Sequence, residues 1–115
     1  MPVKIKQDSA RKVIARLPRT HLKSGQHCLV EYPPYHVLLA RLGEDYHAIE
    51  DGCPHSGYRL SLGELKGQCI TCPGHGWEIN VTTGRVVVPL GMADRCQRYH
   101  IEVDDETITI YDETL

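Results

Sequence analysis

The sequence predicts a single all-β domain whose most chemically loaded residues sit in loops at the ends of hairpins. Three observations carry that expectation. Apolar residues come in short runs separated by glycine, proline and acidic turn residues. The last of these runs alternate apolar with polar, the period of a strand with one wet face. No stretch sustains a 3.6-residue period, and only residues 7–12 and 91–98 have room for a helical turn.

Taken in order, Val13-Ile14-Ala15-Arg16-Leu17 reads as a strand that ends at Pro18. Cys28-Leu29-Val30-Glu31-Tyr32 is stopped by Pro33-Pro34, because proline donates no ladder hydrogen bond. Val37 to Leu42 meets Gly43-Glu44-Asp45, a hairpin turn into Tyr46-His47-Ala48-Ile49. Glu64-Leu65-Lys66 is bounded by Gly63 and Gly67, and Gln68-Cys69-Ile70-Thr71 is strand-like. Trp77 to Val81 alternates and turns at Thr82-Thr83-Gly84 into Arg85-Val86-Val87-Val88. Tyr99 to Val103 pairs with Thr107 to Tyr111 across Asp104-Asp105-Glu106.

A length of 115 residues fits one domain over residues 1–115, with no repeat or linker. An apolar fraction of 41% and a charged fraction of 24% are those of a soluble globular chain. No apolar run approaches the roughly 20 residues that cross a bilayer. The start, Met1-Pro2-Val3-Lys4-Ile5-Lys6, lacks the apolar core of about 7–15 residues of a secretory signal, so a cytoplasmic location is expected. A net charge of −2 with no collected Lys/Arg patch argues against a nucleic-acid partner. Acidic residues gather near the C-terminus: Asp104, Asp105, Glu106, Asp112 and Glu113.

Five cysteines, an odd number, speak for ligation or buried thiols rather than a disulfide framework. Two stretches stand out. Cys53-Pro54-His55-Ser56-Gly57-Tyr58 and Cys72-Pro73-Gly74-His75-Gly76-Trp77 share one grammar, each offering a cysteine and a histidine and closing with glycine. Two thiolates and two imidazoles suit either a zinc ion or an iron–sulfur cluster. Structural zinc usually takes a Cys-x₂₋₄-Cys half and a His-x₃₋₅-His half, whereas each loop here gives one of each. Cys69-x-x-Cys72 would be half a zinc ribbon, but no second such pair exists. Cys28, Cys69 and Cys96 read as packing residues. The remaining histidines, His21, His27, His36, His47 and His100, read as strand or surface residues with no spare 2-His-1-carboxylate set.

Cys53-x-His55 and Cys72-x-x-His75, with proline after each cysteine and glycine close after each histidine, resemble the Rieske [2Fe–2S] motif. Tyr46-His47-Ala48-Ile49, Gly63-Glu64-Leu65, Thr83-Gly84 and the Tyr99 to Val103 strand extend the resemblance along much of the chain. As a whole the sequence is similar to the small freestanding Rieske ferredoxins of bacterial aromatic-ring oxygenase systems. The resemblance implies antiparallel sheets forming a small sandwich or barrel, with a cluster-binding subdomain over roughly residues 50–80. It also implies one [2Fe–2S] cluster per chain, with Cys53 and Cys72 on one iron and His55 and His75 on the other. The role implied is that of a one-electron carrier and not an enzyme. It would take electrons from a flavin-dependent ferredoxin reductase and pass them to a terminal oxygenase, with transient docking near His55 and His75. The alternatives are a Rieske subunit of another reductase complex, such as a nitrite reductase, and a structural Cys₂His₂ zinc module. Tyr58, Leu60 and Trp77 would either pack beneath the loops or form an apolar docking rim, and the acidic residues would steer a basic partner.

The high-potential members of the family carry an additional cysteine in each loop, joined as a disulfide; the corresponding positions here are Tyr58 and Gly74. Those members also place serine and tyrosine hydroxyls on sulfur, where this sequence has Trp77 and Ile79. Fewer donors to sulfur stabilise the reduced cluster less. The expected midpoint potential therefore lies towards the lower end of the Rieske range of about −150 to +300 mV, and a redox titration giving a value well above about +100 mV would contradict this.

Overall fold

The computed structural model describes residues 11–115. Ten strands follow one another among the described residues: β1 (Val13–Pro18), β2 (His27–Val30), β3 (Val37–Leu42), β4 (Asp45–Glu50), β5 (Glu64–Lys66), β6 (Cys69–Thr71), β7 (Glu78–Asn80), β8 (Val86–Val88), β9 (Arg98–Val103) and β10 (Thr107–Thr114). They form a six-stranded sheet of order β1-β10-β9-β4-β3-β2 and a four-stranded sheet of order β5-β6-β7-β8. Every pairing is antiparallel. The all-β expectation therefore holds.

β3 explains how the two sheets share a centre. Val37 and Leu39 point into one apolar cluster with Leu22, Val30, Tyr46, Ala48, Ile108 and Ile110. Leu38 and Ala40 point into the other, with Ile49, Leu60, Ile70, Ile79, Val81 and Val86. Side chains alternate along a strand, so a strand buried on both faces must be apolar at consecutive positions. That is why Val37-Leu38-Leu39-Ala40 reads as an unbroken run, with all four residues fully buried. Each such large side chain contributes about 1.5–3 kcal/mol relative to exposure.

The four-stranded sheet is an excursion between β4 and its neighbour β9. The chain leaves at Glu50 and returns at Gln97, and these two residues close its base. The Glu50 N–H donates to the Gln97 carbonyl at 2.8 Å, and the Gln97 N–H donates to Glu50 Oε1 at 2.8 Å. Ala48 and Ile49 then pair with Tyr99 and Arg98. The excursion thus spans residues 51–96.

The structure departs from the sequence expectation in small ways. β2 ends at Val30, because the Tyr32 N–H turns away from the ladder to His36 Nδ1 at 3.0 Å. Residues 91–98 hold no helix, and residues 7–10 lie outside the described residues. The helical turns that do occur, 3₁₀ turns at Arg19–His21 and Leu60–Leu62, are three residues each and too short to show a period. Val103 is exposed although it alternates with Ile101, because it stands at the end of the sheet beyond the core. No described helix is long and apolar enough to cross a membrane.

Gly84 anchors the return of the excursion. Its φ is +78°, and a Cβ there would collide with the Cys96 carbonyl oxygen, whose own residue donates its N–H to the Gly84 carbonyl at 2.8 Å. Gly84→Ala should cost about 1–3 kcal/mol in urea unfolding; an unchanged unfolding midpoint would show that this contact does not constrain the fold.

Candidate metal centre

The two loops singled out in the sequence have the same backbone wiring. In the first, the Cys53 N–H donates to the Tyr58 carbonyl at 2.8 Å and the Gly57 N–H donates to the Cys53 carbonyl at 2.8 Å. In the second, the Cys72 N–H donates to the Trp77 carbonyl at 2.7 Å and the Gly76 N–H to the Cys72 carbonyl at 3.1 Å. Both loops turn on a glycine at φ +76°, Gly57 and Gly76, a conformation other residues adopt only with strain. The sequence dictates this: proline after each cysteine presets an extended entry, and glycine four residues on lets the chain double back.

The result is a sharp polarity. Cys53 and Cys72 lie within the apolar cluster of Leu60, Ile70 and Ile79, at 3% and 1% exposure, while His55 and His75 face solvent. The imidazoles meet edge to face, ring centroids 5.2 Å apart and planes at 75°. All five cysteines are free.

Burial by itself would push the Cys72 thiol up. The backbone N–H groups of Gly74 and His75 and the side chains of Cys53 and Ser56 outweigh that and hold it below its ordinary value. The site therefore favours a thiolate at Cys72, the form that binds metal. The other thiols behave oppositely: Cys96, fully buried with its Sγ donating to the Gly52 carbonyl, is pushed strongly up by burial. Cys28 and Cys69 are also pushed up by burial, although each is only half-buried. Cys28 packs against the large sheet's apolar cluster, and both are less completely enclosed than Cys96.

Two buried sulfurs and two exposed nitrogens form two pairs of donors. Among the described residues no three His, Cys, Asp or Glu side chains are gathered closely enough to share one metal ion. A tetrahedral zinc needs four donors at about 2.0–2.3 Å from one point. A two-iron cluster, with sulfur ligands on one iron and imidazoles on the other, matches this donor set in type and in its division into pairs.

The neighbouring side chains divide between the two roles the sequence left open. Leu60 is fully buried and belongs to the core, while Tyr58 is 51% exposed and belongs to the rim. Trp77 does both: it packs on the core and stacks on His55, ring centroids 4.5 Å apart. The acidic turn Asp104–Glu106 lies at the far end of the large sheet, where Arg19 reaches both Glu44 and the Asp104 carbonyl. Asp112 and Glu113 are engaged with Tyr32 and Arg11.

Ser56 escaped the sequence reading. Its Oγ lies 3.8 Å from Cys72 Sγ, a hydroxyl reaching across from the other loop to the sulfur. Leu62, 71% exposed, and Arg59 also escaped; they line a shallow apolar cleft with Tyr58, Pro73 and Gly74. The buried carboxylate of Asp51 was a further omission. It accepts from the Ser61 N–H at 2.6 Å and from the Ser61 hydroxyl, while His27 Nε2–H donates to the Ser61 carbonyl at 2.9 Å. Ser61 thereby ties the turn after the first loop to β2 and to the end of β4. The only sequence signal was an aspartate two residues before Cys53.

An all-β domain carrying paired thiol and imidazole donors on two matched loops defines a mixed Cys/His metal-cluster protein. The Rieske [2Fe-2S] domain model matches residues 13–98, and the chain belongs to that family, whose members are built around a [2Fe–2S] cluster. Ferredoxin CarAc of Metapseudomonas resinovorans is 41% identical over 61 residues, covering 49% of this chain and 57% of CarAc. Methylxanthine N1-demethylase NdmA of Pseudomonas putida is 32% identical over 76 residues, covering 66% of this chain and 22% of NdmA. The chain thus spans well under two thirds of either relative. Among solved structures, the complex of reduced oxygenase and oxidized ferredoxin in carbazole 1,9a-dioxygenase contains a chain that superposes with a TM-score of 0.79 at 25% identity. That match covers 89% of this chain and 97% of that one.

Removing the Asp51 carboxylate would leave the part-buried Ser61 N–H without its acceptor. Asp51→Ala should lose about 1–3 kcal/mol of stability in urea unfolding, and a change below about 0.5 kcal/mol, the scale of an ordinary surface substitution, would show the tie to be slack.

Proposed function

We propose that residues 1–115 form one Rieske ferredoxin domain that carries single electrons from a flavin-dependent reductase to a terminal, ring-hydroxylating oxygenase. Cys53 and Cys72 hold one iron of the cluster and His55 and His75 the other. The chain acts in the cytoplasm as a carrier and performs no substrate chemistry of its own. The observation that carries this reading is the division of the four donors, with cysteines inside the core and histidines at the surface.

When bound, the cluster supplies a one-electron couple. The chain's residues do the rest. The apolar enclosure of Cys53 and Cys72 by Leu60, Ile70 and Ile79 keeps water from the sulfurs. The N–H groups of Gly74 and His75 and the Ser56 hydroxyl offset negative charge at Cys72. The exposed His55 and His75 bring the other end within reach of a docked partner. Around them, Tyr58, Leu62 and Pro73 offer apolar surface beside the single charge of Arg59. A surface of that size and character suits a small, transient interface. The similarity to CarAc and to the ferredoxin seen with carbazole 1,9a-dioxygenase supports an oxygenase as the electron acceptor.

The test is reconstitution. With NADH and a flavin-dependent ferredoxin reductase, the visible absorption of the protein should bleach, and it should recover on adding a reaction-ready ring-hydroxylating oxygenase. Reduction without reoxidation by any such oxygenase would sink the partner assignment. In parallel, Cys53→Ala, Cys72→Ala, His55→Ala and His75→Ala should each drop bound iron from about two per chain towards zero. Cys69→Ala and Cys28→Ala should leave it unchanged. Full iron retention in any of the first four variants would refute that residue as a ligand.

A further inference from the structure

The two loops are near copies in backbone, and each places an aromatic residue directly after its turning glycine: Tyr58 after Gly57 and Trp77 after Gly76. These rings cross over. Trp77 of the second loop lies flat on His55 of the first, centroids 4.5 Å apart and planes within 15°. Tyr58 of the first loop lies parallel to His75 of the second, 6.2 Å away and within 10°. With the edge-to-face contact between the imidazoles, four rings from two loops form one continuous array in the order Trp77, His55, His75, Tyr58.

The Tyr58 ring is also seated against Gly74, so closely that a Cβ at Gly74 would occupy its edge. Gly74 does not sit at positive φ; what requires glycine there is the ring. A ring-on-backbone contact therefore joins the two loops.

A metal-bound histidine is ordinarily oriented by a hydrogen bond from its second ring nitrogen to a carboxylate or carbonyl. Among the described residues neither His55 nor His75 has such a partner, whereas His27 Nε2 meets the Ser61 carbonyl and His100 Nε2 the Glu102 carboxylate. What restrains the ring planes of His55 and His75 is stacking.

We propose that Trp77 and Tyr58 are positioning residues for the two imidazole ligands, each supplied by the opposite loop, so that the crossed stack sets the ring planes and clasps the loops together. This rests on the reading of His55 and His75 as ligands. Free rotation of either ring about its bond to iron would spread the site over several orientations. A fixed plane gives one electronic environment and one redox potential.

The test compares Trp77→Phe, Trp77→Leu, Tyr58→Phe, Tyr58→Leu and Gly74→Ala in the cluster-bearing protein. Readouts are the g-values and line widths of the reduced protein's EPR spectrum, the midpoint potential and the half-life of the cluster's visible absorption in air. The two leucine variants should broaden or shift the spectrum and lose the cluster roughly 2- to 12-fold faster, the ratio expected for loss of an aromatic pair. The phenylalanine variants, which keep a flat ring, should stay near wild type. Gly74→Ala should reproduce Tyr58→Leu, because the added methyl unseats the ring while leaving every aromatic in the sequence. Should Trp77→Leu not fold, the half-exposed Tyr58 decides. Leucine variants with wild-type spectra and lifetimes would overturn the proposal, as would phenylalanine variants as disturbed as the leucine ones. Absence of a mixed Cys/His signal in the wild type would instead refute the ligand assignment on which the proposal stands.

Discussion

The burial of β3 on both faces is the constraint from which the rest of the structure follows. A strand with apolar side chains on both sides needs a packed layer over each. Val37 and Leu39 find theirs within the large sheet's curl, under Ile108 and Ile110. Leu38 and Ala40 find theirs beneath the small sheet, against Ile70, Ile79 and Val81. Neither core closes without the other, because one short strand serves both. β4, hydrogen-bonded to β3 along its length, carries the same division through Tyr46 and Ala48 on one side and Ile49 on the other. Its continuation delivers Cys53 to the second core. Cys72 arrives there from β6, so the fold fixes where both sulfurs lie before any metal is considered.

From that placement comes the inside–outside order of the donors. Only one or two residues separate each cysteine from its histidine, yet the cysteine is sealed among aliphatic side chains and the histidine is in solvent. The tight turn at Gly57 or Gly76 makes this reversal possible. Charges are distributed along the same axis. The acidic β9–β10 turn is at the end remote from the loops, and its neighbour Arg19 is paired with Glu44. The cleft of Tyr58, Leu62, Pro73 and Gly74 carries one charge, Arg59, which is in no ion pair among the described residues.

Much of this was legible in the sequence, because it is encoded locally. The β3–β4 and β9–β10 hairpins announce themselves by period and turn residues, and the loop grammar of Cys53–Tyr58 and Cys72–Trp77 picks out the candidate donors. What was not legible depends on residues far apart in the chain. Ser56 sits between two motif residues, and nothing in its own loop says that its hydroxyl reaches Cys72. Leu60 and Leu62 look alike in sequence, yet a single 3₁₀ turn puts the first wholly inside and the second mostly outside. Asp51 reads as a turn aspartate until Ser61 is seen folded against it.

The central claim is that these four side chains hold a two-iron cluster with sulfur on one iron and imidazole on the other. An EPR spectrum of the dithionite-reduced protein, taken with iron and acid-labile sulfide analysis, tests it most directly. The account predicts two irons and two sulfides per chain and a rhombic signal whose average g lies below that of an all-cysteine [2Fe–2S] cluster. A colourless, EPR-silent protein holding one zinc per chain would contradict it and leave the loops as a structural staple.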